Sequence, residues 1–365
     1  WPTTLGKICL LTACWVTMEA FRSWFLTGFP WLLFGYTAIN TPFEGLLSWL
    51  GTFGVTACIG LVAGGCLTCI IDRRVAPLII SVVVLISGTF LNSQFLPIEH
   101  SDKPVRIGLW QPVINQSHKW KPEFRGEIVE RHATQGLADD VEVIIWPETA
   151  LPMSESQVNS VLPDLDLLLH ANQQTLITGV LGRDNGRFTN RLITMGVGRG
   201  TYDKTRLVPF GEYVPLESIL RGLIAFFDLP MSAIIPGNRQ ELLTHGALKF
   251  ASLICYEIAY TGQARQIAQE ANVILTVSND TWFGDSIGPA QHLQIAQIRA
   301  RELGKPVVRA TNDGLTAFID ARGRVEKTMP RLERGLLSHT VIPATTVTAY
   351  SLAGEAPLVI LLIVL

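Results

Sequence analysis

The sequence predicts an α/β domain, its sheets covered by helices, fused to an α-helical transmembrane domain, and three observations predict it. Only seven charged residues, Lys7, Glu19, Arg22, Glu44, Asp72, Arg73 and Arg74, occur in the first 96 positions. Within them Leu46 to Ile71 is an uncharged run, and a second runs from Val75 to Ile98. Each is long enough to cross a hydrocarbon core, which takes ~20 helical residues. Beyond residue 98, short β-branched runs alternate with helical patterns, as expected of sheets layered against helices.

Taken in order, a first span covers Ile8 to about Leu26 and precedes the two longer runs. Three successive apolar runs are spans rather than a cleavable signal, whose apolar core is shorter and single. The tight loop Asp72-Arg73-Arg74 lies between two spans; the positive-inside rule puts it in the cytoplasm and the polar domain on the opposite face. In that domain Val105–Trp110, Val141–Trp146, Thr175–Leu181, Arg191–Met195, Leu248–Cys255, Val273–Ser278, Val307–Ala310 and Leu315–Asp320 read as strands. Phe124–Leu137, Gln157–Ala171, Thr261–Ala271 and Pro289–Leu303 read as helices, the last with apolar residues at Leu293, Ile295, Ala296, Ile298 and Leu303. The expected division is residues 1–98 transmembrane, 99–345 polar α/β domain, and 346–365 the start of a further membrane helix. Both ends read as cut: the chain opens on Trp1 and stops inside the apolar run Pro357 to Leu365, too short to span.

Cys255 is the only cysteine of the polar domain, at the end of the apolar run Leu248 to Ile254; Cys9, Cys14, Cys58, Cys66 and Cys69 fall in the hydrophobic segments. That distribution excludes a disulfide framework in the polar domain and matches no zinc-ligand spacing. Alone, such a thiol is more often an inert buried residue than a nucleophile. In VEVIIWPETALP, however, Val141 to Ile145 read as a buried strand that delivers Glu148 at its C-terminal end, between Pro147 and Pro152. Strand ends of this kind are where α/β sites collect. In YDKTRLVPFGEYVP, Lys204 and Glu212 flank a turn made rigid by Pro209 and Gly211.

Together, in the order Glu, Lys, Cys at intervals of about fifty residues, these strings resemble the nitrilase superfamily. More narrowly, WPETALP, LVPFGEYVP, LICYE and SNDTWFG, with the flanking membrane segments, are similar to the apolipoprotein N-acyltransferase family over essentially the whole chain. The resemblance implies a four-layer α-β-β-α nitrilase-like sandwich, further spans before residue 1 and one at the C-terminus. It also implies a multi-pass protein of the bacterial inner membrane with a periplasmic catalytic domain. In the implied reaction a phospholipid gives its acyl chain to Cys255, and the free α-amine of a diacylglyceryl-cysteine at an apolipoprotein N-terminus takes it as an amide. No cofactor is implied; the partners are the phospholipid donor, the apolipoprotein acceptor and the bilayer.

The residue types suit such chemistry. An activated cysteine is a strong nucleophile, and acyl transfer through a thioester avoids one high barrier. Cys255 takes that role, and Glu148 takes the thiol proton and returns it to the leaving alkoxide, which calls for a carboxylate whose pKa is moved toward neutrality. Lys204 stabilises the tetrahedral oxyanion with the backbone N–H just after the nucleophile, that of Tyr256. By resemblance Glu212 orients Lys204 or relays protons. Glu257 points to the same face as Cys255 if the strand continues extended, and reads equally as loop support or as a partly exposed turn residue. Asn279, Asp280, Trp282 and Phe283 follow another apolar strand on a neighbouring loop, where Trp282 contacts an acyl chain or packs on its own domain. His292, on a helix with an apolar face, reads as structural. The apolar stretch Ile219 to Ile235, with Phe226 and Phe227, reads as a core helix and loop or as an interfacial segment; the resemblance favours a lipid-facing lid. Trp24, Phe25, Phe29, Trp31 and Phe34 form an aromatic cluster around Pro30 that suits a membrane interface. Glu19 and Arg22, one helical turn apart, are explained by an ion pair.

The net charge of −2, with no basic stripe, P-loop or dinucleotide fingerprint, argues against nucleic acid as a partner. The seven histidines are scattered without ligand spacing, so no metal site is expected. Two other functions stay open on the sequence: a membrane-anchored nitrilase-type amidase, in which water resolves the thioester, and a catalytically inactive lipoprotein-binding protein.

Overall fold

The computed structural model describes residues 3–94, 98–100, 103–209, 211–213 and 234–364. Helix α1 (Thr4–Arg22) starts at Thr3, whose hydroxyl accepts the Gly6 N–H at 3.1 Å, a side-chain cap for an otherwise orphaned donor. It stops short of the expected Leu26. Leu26, Thr27 and Gly28 all take positive φ, and Arg22 donates to the carbonyls of Trp31 at 2.7 Å and Leu32 at 3.4 Å, folding the chain back on the helix end. The expected Glu19–Arg22 pair is therefore not formed. Buried Glu19 accepts instead from Trp15 Nε1 (3.1 Å), Phe34 N (2.7 Å) and Thr56 Oγ1 (3.0 Å), tying the returning segment to α1 and α2.

Helix α2 (Leu47–Asp72) follows the turn Glu44–Leu46, and α3 (Ala76–Gln94) packs beside it. Thr4–Arg22 and Glu44–Asp72 are long and apolar enough to cross a membrane, whereas Ala76–Leu91 is a shorter apolar helix than the expected third span. Gly51 breaks the α2 backbone with φ +65°; a Cβ there would lie 2.2 Å from the Tyr350 ring, so the break and the contact both need glycine.

The polar region forms two six-stranded sheets, ordered β12-β1-β2-β3-β4-β5 and β11-β10-β9-β8-β7-β6. Their strands are β1 (Val105–Gln111), β2 (Val143–Ile145), β3 (Thr175–Asp184), β4 (Arg187–Gly196), β5 (Thr201–Asp203), β6 (Leu243–His245), β7 (Leu248–Ile254), β8 (Val273–Ser278), β9 (Val307–Thr311), β10 (Thr316–Ile319), β11 (Val325–Met329) and β12 (Gly335–Val341). Period-two alternation sorts the side chains. Ile107, Leu109, Val143 and Ile145 meet Phe250, Val273, Leu275 and Val277 in the core between the sheets. Their neighbours Trp110 and Ile144 face outward under the helices α5 (Arg125–Gln135), α6 (Glu155–Val161) and α7 (Pro163–Ala171), which follow the one-turn α4 (Gln116–Lys119). On the other side α8 (Thr261–Ala268) and α9 (Gly288–Leu303) cover Ala251, Leu253 and Ile274. The result is the expected four-layer α-β-β-α sandwich.

That outer core also takes in Val16, Leu33, Leu47 and Val55, so the apolar N-terminal region and the sandwich share one packed interior through α9 and α2. Two short helices, α10 (Ala349–Ala353) and α11 (Ala356–Val364), close the chain, α10 packing on α2. The expected helix Gln157–Ala171 is two, because Pro163 starts a new helix after Leu162 leaves helical geometry (φ −126°, ψ 53°). Strands β5, β6, β11 and β12 were not expected; β11 is exposed along most of its length and so carries no apolar pattern to read.

Candidate active site

Strands β1, β2 and β3 run parallel in one sheet and β7, β8 and β9 in the other, so several chain segments leave the sandwich at one edge. Glu148 follows β2, Cys255 follows β7, Asn279 follows β8 and Lys204 follows β5. This is the carboxyl edge where α/β folds place ligands. There, among the described residues, a cavity of about 390 Å³ is lined by Glu148, Lys204, Glu212 and Cys255 together with Lys119, Trp120, Tyr256, Asn279, Trp282, Phe283 and His292.

Glu148 is 5% exposed and fully engaged. Its Oε1 accepts from Asn190 Nδ2 at 2.7 Å and Lys204 Nζ at 3.2 Å, and its Oε2 from the Asn279 N–H at 2.9 Å. Lys204 also donates to Glu212 Oε1 at 2.7 Å, and Glu212 Oε2 accepts the Val208 N–H at 2.8 Å. Burial opposes charge on Lys204, but Glu148 and Glu212 more than offset it and hold the ammonium well above the usual lysine range. Burial likewise raises Glu148, yet Lys204 and Lys119 outweigh it, so its carboxyl lies below the ordinary value. The expected shift toward neutrality is thus reversed by two cations. It is Glu212 that is raised, by burial and by the neighbouring Glu148 charge. Burial and Glu148 also push the Cys255 thiol well up, against the pull of Lys204. The resting site is a thiol beside an ionised carboxylate.

Cys255 is not the last residue of an extended strand. Its φ is +55°, and the chain turns there into a 3-10 helix, Cys255–Ala259. Glu257 consequently does not share the face of Cys255 but is buried beneath the turn. Its carboxylate accepts from Ile254 N (2.8 Å), Tyr202 Oη (2.9 Å), Thr205 N (2.8 Å), Thr205 Oγ1 (2.9 Å), Arg206 N (3.1 Å) and Gln263 Nε2 (2.9 Å). One carboxylate thereby locks the segment after Lys204 to the turn that carries Cys255, which answers the open reading of Glu257 in favour of support.

Asn279 reaches Glu148 through its backbone; its side chain is spent on Gln116, Thr281 and Asn312. Trp282 is 55% exposed at the cavity mouth, and Phe283 stacks on Trp31 with ring centroids 5.6 Å apart. Phe226 and Phe227 lie outside the described residues, as does most of the stretch Ile219 to Ile235. The aromatic cluster splits: Phe29 and Trp31 line the cavity and stack against Tyr256, while Trp24 and Phe25 are exposed. The hydroxyl of Tyr260 donates to the carbonyls of Thr27 (3.0 Å) and Gly28 (3.1 Å), holding this arm over the nucleophile turn.

Lys119, Asn190 and the contact of His292 with the Cys255 carbonyl went unread in the sequence. Buried Lys119, at the end of α4, donates to the Glu148 carbonyl at 3.1 Å, and desolvation brings it down to about 8. Asn190 left one signal, a buried amide inside a strand. Among the described residues no group of His, Cys, Asp and Glu is arranged to hold a metal ion.

The family described as carbon-nitrogen hydrolase matches residues 96–350, and the apolipoprotein N-acyltransferase N-terminal domain matches residues 1–65. Curated relatives include the apolipoprotein N-acyltransferases of Pseudomonas paraeruginosa, 40% identical over 95% of this chain and 70% of that one, and of Pseudomonas syringae pv. tomato, 40% identical over 99% and 74%. That of Vibrio cholerae is 37% identical over 96% of this chain and 72% of its own. Among solved structures, an amidase from Nesterenkonia sp. aligns with 17% identity and a TM-score of 0.49 over 70% of this chain and 95% of that one. With both parts of the chain matched and relatives near 40% identity along almost its whole length, this protein belongs to the apolipoprotein N-acyltransferase family.

Proposed function

We propose that this chain transfers an acyl chain from a phospholipid, by way of a thioester on Cys255, to the α-amine of the diacylglyceryl-cysteine that begins a bacterial apolipoprotein. The observation that carries the reading is the convergence of Glu148, Lys204, Glu212 and Cys255 on one cavity whose wall includes Phe29 and Trp31 from the apolar N-terminal region. A donor drawn from a bilayer needs such a wall, and a small soluble amide does not.

In the first half-reaction the Cys255 sulfur attacks the ester carbonyl carbon as its proton passes to Glu148. Since the thiol is held up and the carboxylate down, the proton moves with the attack rather than before it. The carbonyl π pair moves onto oxygen, where the Lys204 ammonium and the Tyr256 N–H receive it. Collapse breaks the C–O bond, and protonated Glu148 returns its proton to the alkoxide, which leaves as lysophospholipid. In the second half the free α-amine attacks the thioester carbon, Glu148 takes a proton from the nitrogen, and the thiolate leaves and is reprotonated. Glu212 keeps Lys204 charged and aimed. Residues 1–98 form the membrane part of this arrangement, multi-pass in the inner membrane, residues 99–345 the periplasmic catalytic part, and 346–365 the start of a closing membrane helix; the Asp72-Arg73-Arg74 loop supports that orientation. Trp282 and Phe283 meet the acyl chain at the cavity mouth, and the stretch holding Phe226 and Phe227 serves as its lid.

The test is intact mass spectrometry of the detergent-extracted protein after incubation with a defined phospholipid. A hydroxylamine-labile adduct of one acyl chain is expected on the wild type and none on Cys255→Ala. A diacylated lipopeptide then discharges it to a triacylated product. Discharge by water at the same rate with or without the lipopeptide supports the amidase instead, and no adduct on a folded protein leaves the binding-protein reading.

A further inference from the structure

We propose that His292 is a positioning residue for the reaction above, fixing the Cys255–Tyr256 peptide so that the Tyr256 N–H faces the oxygen on which negative charge develops. The inference rests on the reading of Cys255 as the nucleophile. At φ +55° Cys255 sits in a backbone region costly to a side-chain-bearing residue, so its neighbours must hold it there. The buried His292 ring does so from α9, with Nε2 3.1 Å from the Cys255 carbonyl oxygen. A carbonyl only accepts, so Nε2 carries the hydrogen. In a neutral ring Nδ1 is then an acceptor, and Arg309 Nη2, 3.1 Å away, is the donor that meets it. Asp280 Oδ1 also lies 3.1 Å from Nδ1, but Asp280 is already committed to Arg309 at 2.7 Å and Ser278 Oγ at 2.7 Å. Burial and then Arg309 lower the His292 pKa, in keeping with a neutral ring.

The consequence follows from peptide geometry. The carbonyl of Cys255 and the N–H of Tyr256 belong to one planar trans unit and point in opposite directions. Drawing that carbonyl toward α9 turns the N–H away from the helix. Tyr256 is the second residue of its helical turn, where the N–H has no acceptor within the helix. The donor is therefore free for substrate, on the side of the peptide opposite His292. Trp31 and Phe283, with ring centroids 5.4 Å and 6.1 Å from that of His292, confine the imidazole.

Two reactions of the same thiol separate this role from a structural one. Acylation by p-nitrophenyl butyrate builds an oxyanion, whereas alkylation by iodoacetamide forms the S–C bond as iodide leaves and builds none. Both need the same thiol and the same base. In His292→Leu, acylation is expected to fall about 100-fold, the scale of one lost oxyanion donor, while alkylation stays within about threefold. His292→Gln, whose amide presents an N–H near the position of Nε2, is expected to recover at least a tenth of the lost acylation rate. Thermal unfolding in detergent identifies any variant that is misfolded. Equal loss of both reactions, an unchanged acylation rate in His292→Leu, or a folded His292→Gln as slow as the leucine variant each overturns the proposal. Wild type acylated by the nitrophenyl ester but not by phospholipid removes the donor reading and leaves this one standing; wild type acylated by neither overturns both.

Discussion

Two buried charge clusters in this chain are built from the same parts and do opposite things. Around Lys204, an ammonium bridges Glu148 and Glu212 at the edge of a cavity. Around Arg299, a guanidinium in the middle of α9 pairs with Glu302, donates to the Ile258 carbonyl at 3.0 Å and reaches the Tyr36 hydroxyl at 3.2 Å. Glu302 in turn accepts the N–H and the hydroxyl of Thr52 on α2, at 2.7 and 2.6 Å. The Arg299 cluster spends its charge on protein, bolting the sandwich and its nucleophile turn to the apolar N-terminal region. Burial and ion pairing are common to both clusters; what sets the Lys204 cluster apart is a face open to the cavity beside a thiol.

The comparison is broken most directly at Glu148. Replacing it with Gln keeps the shape and an acceptor for the Asn279 N–H but removes the proton acceptor. Thioester formation should fall about 10³-fold, within the range of a lost general base, with the unfolding temperature within a few degrees of wild type. A folded variant that acylates at more than a tenth of the wild-type rate would show that Glu148 is another structural charge, like Glu302.

Arg299→Met tests the other cluster. Removing one partner of a buried pair leaves Glu302 unpaired, at a cost of about 3–5 kcal/mol, so unfolding in detergent should come markedly earlier. Acylation per folded molecule should change far less than in Glu148→Gln. Adding Glu302→Leu should recover part of the stability because the stranded charge is gone, the loss of the Thr52 bonds limiting the recovery. A loss of acylation without loss of stability would mean that the bolt acts on the chemistry through Ile258.

How much of this was legible differs between the clusters for a physical reason. Glu148, Lys204 and Cys255 each stand at a strand end, next to prolines or an apolar run, so local pattern marked the places where the chain must turn at the sheet edge. The four layers followed from alternation, as Val143, Ile144 and Ile145 divide between two cores. The Arg299 cluster gave no such mark: it joins residues about 250 positions apart, Thr52 and Glu302, and a charged pair on a helix reads as solvated until the second layer of protein is known. The Cys255 turn was misread as strand because an apolar run does not announce a positive φ. The direction of the Glu148 shift was misread because Lys119, set between His118 and Trp120, carries no local sign of facing a carboxylate.

Lys119 stands between the two clusters and sharpens the contrast least dramatically but most specifically. It is buried like Arg299, yet it spends one hydrogen bond on the Glu148 carbonyl and lines the cavity beside Lys204. Burial raises Glu148, while Lys204 first and Lys119 second bring it below 4.5. A base must be ionised to act, so thioester formation should hold its rate as pH falls from neutrality and decline only as Glu148 is protonated, below 4.5. In Lys119→Met one of the two cations is gone, Glu148 holds its proton more tightly, and the acid limb moves to higher pH. With p-nitrophenyl butyrate as acyl donor, the variant should lose little near pH 8 and roughly tenfold near pH 5, the size of a one-unit shift. Lys119→Arg, which keeps the charge, should restore the limb even if its longer side chain weakens the bond to the carbonyl. A uniform loss at every pH, with the limb unmoved, would place Lys119 with Arg299, as a cation that holds the fold and leaves the base alone.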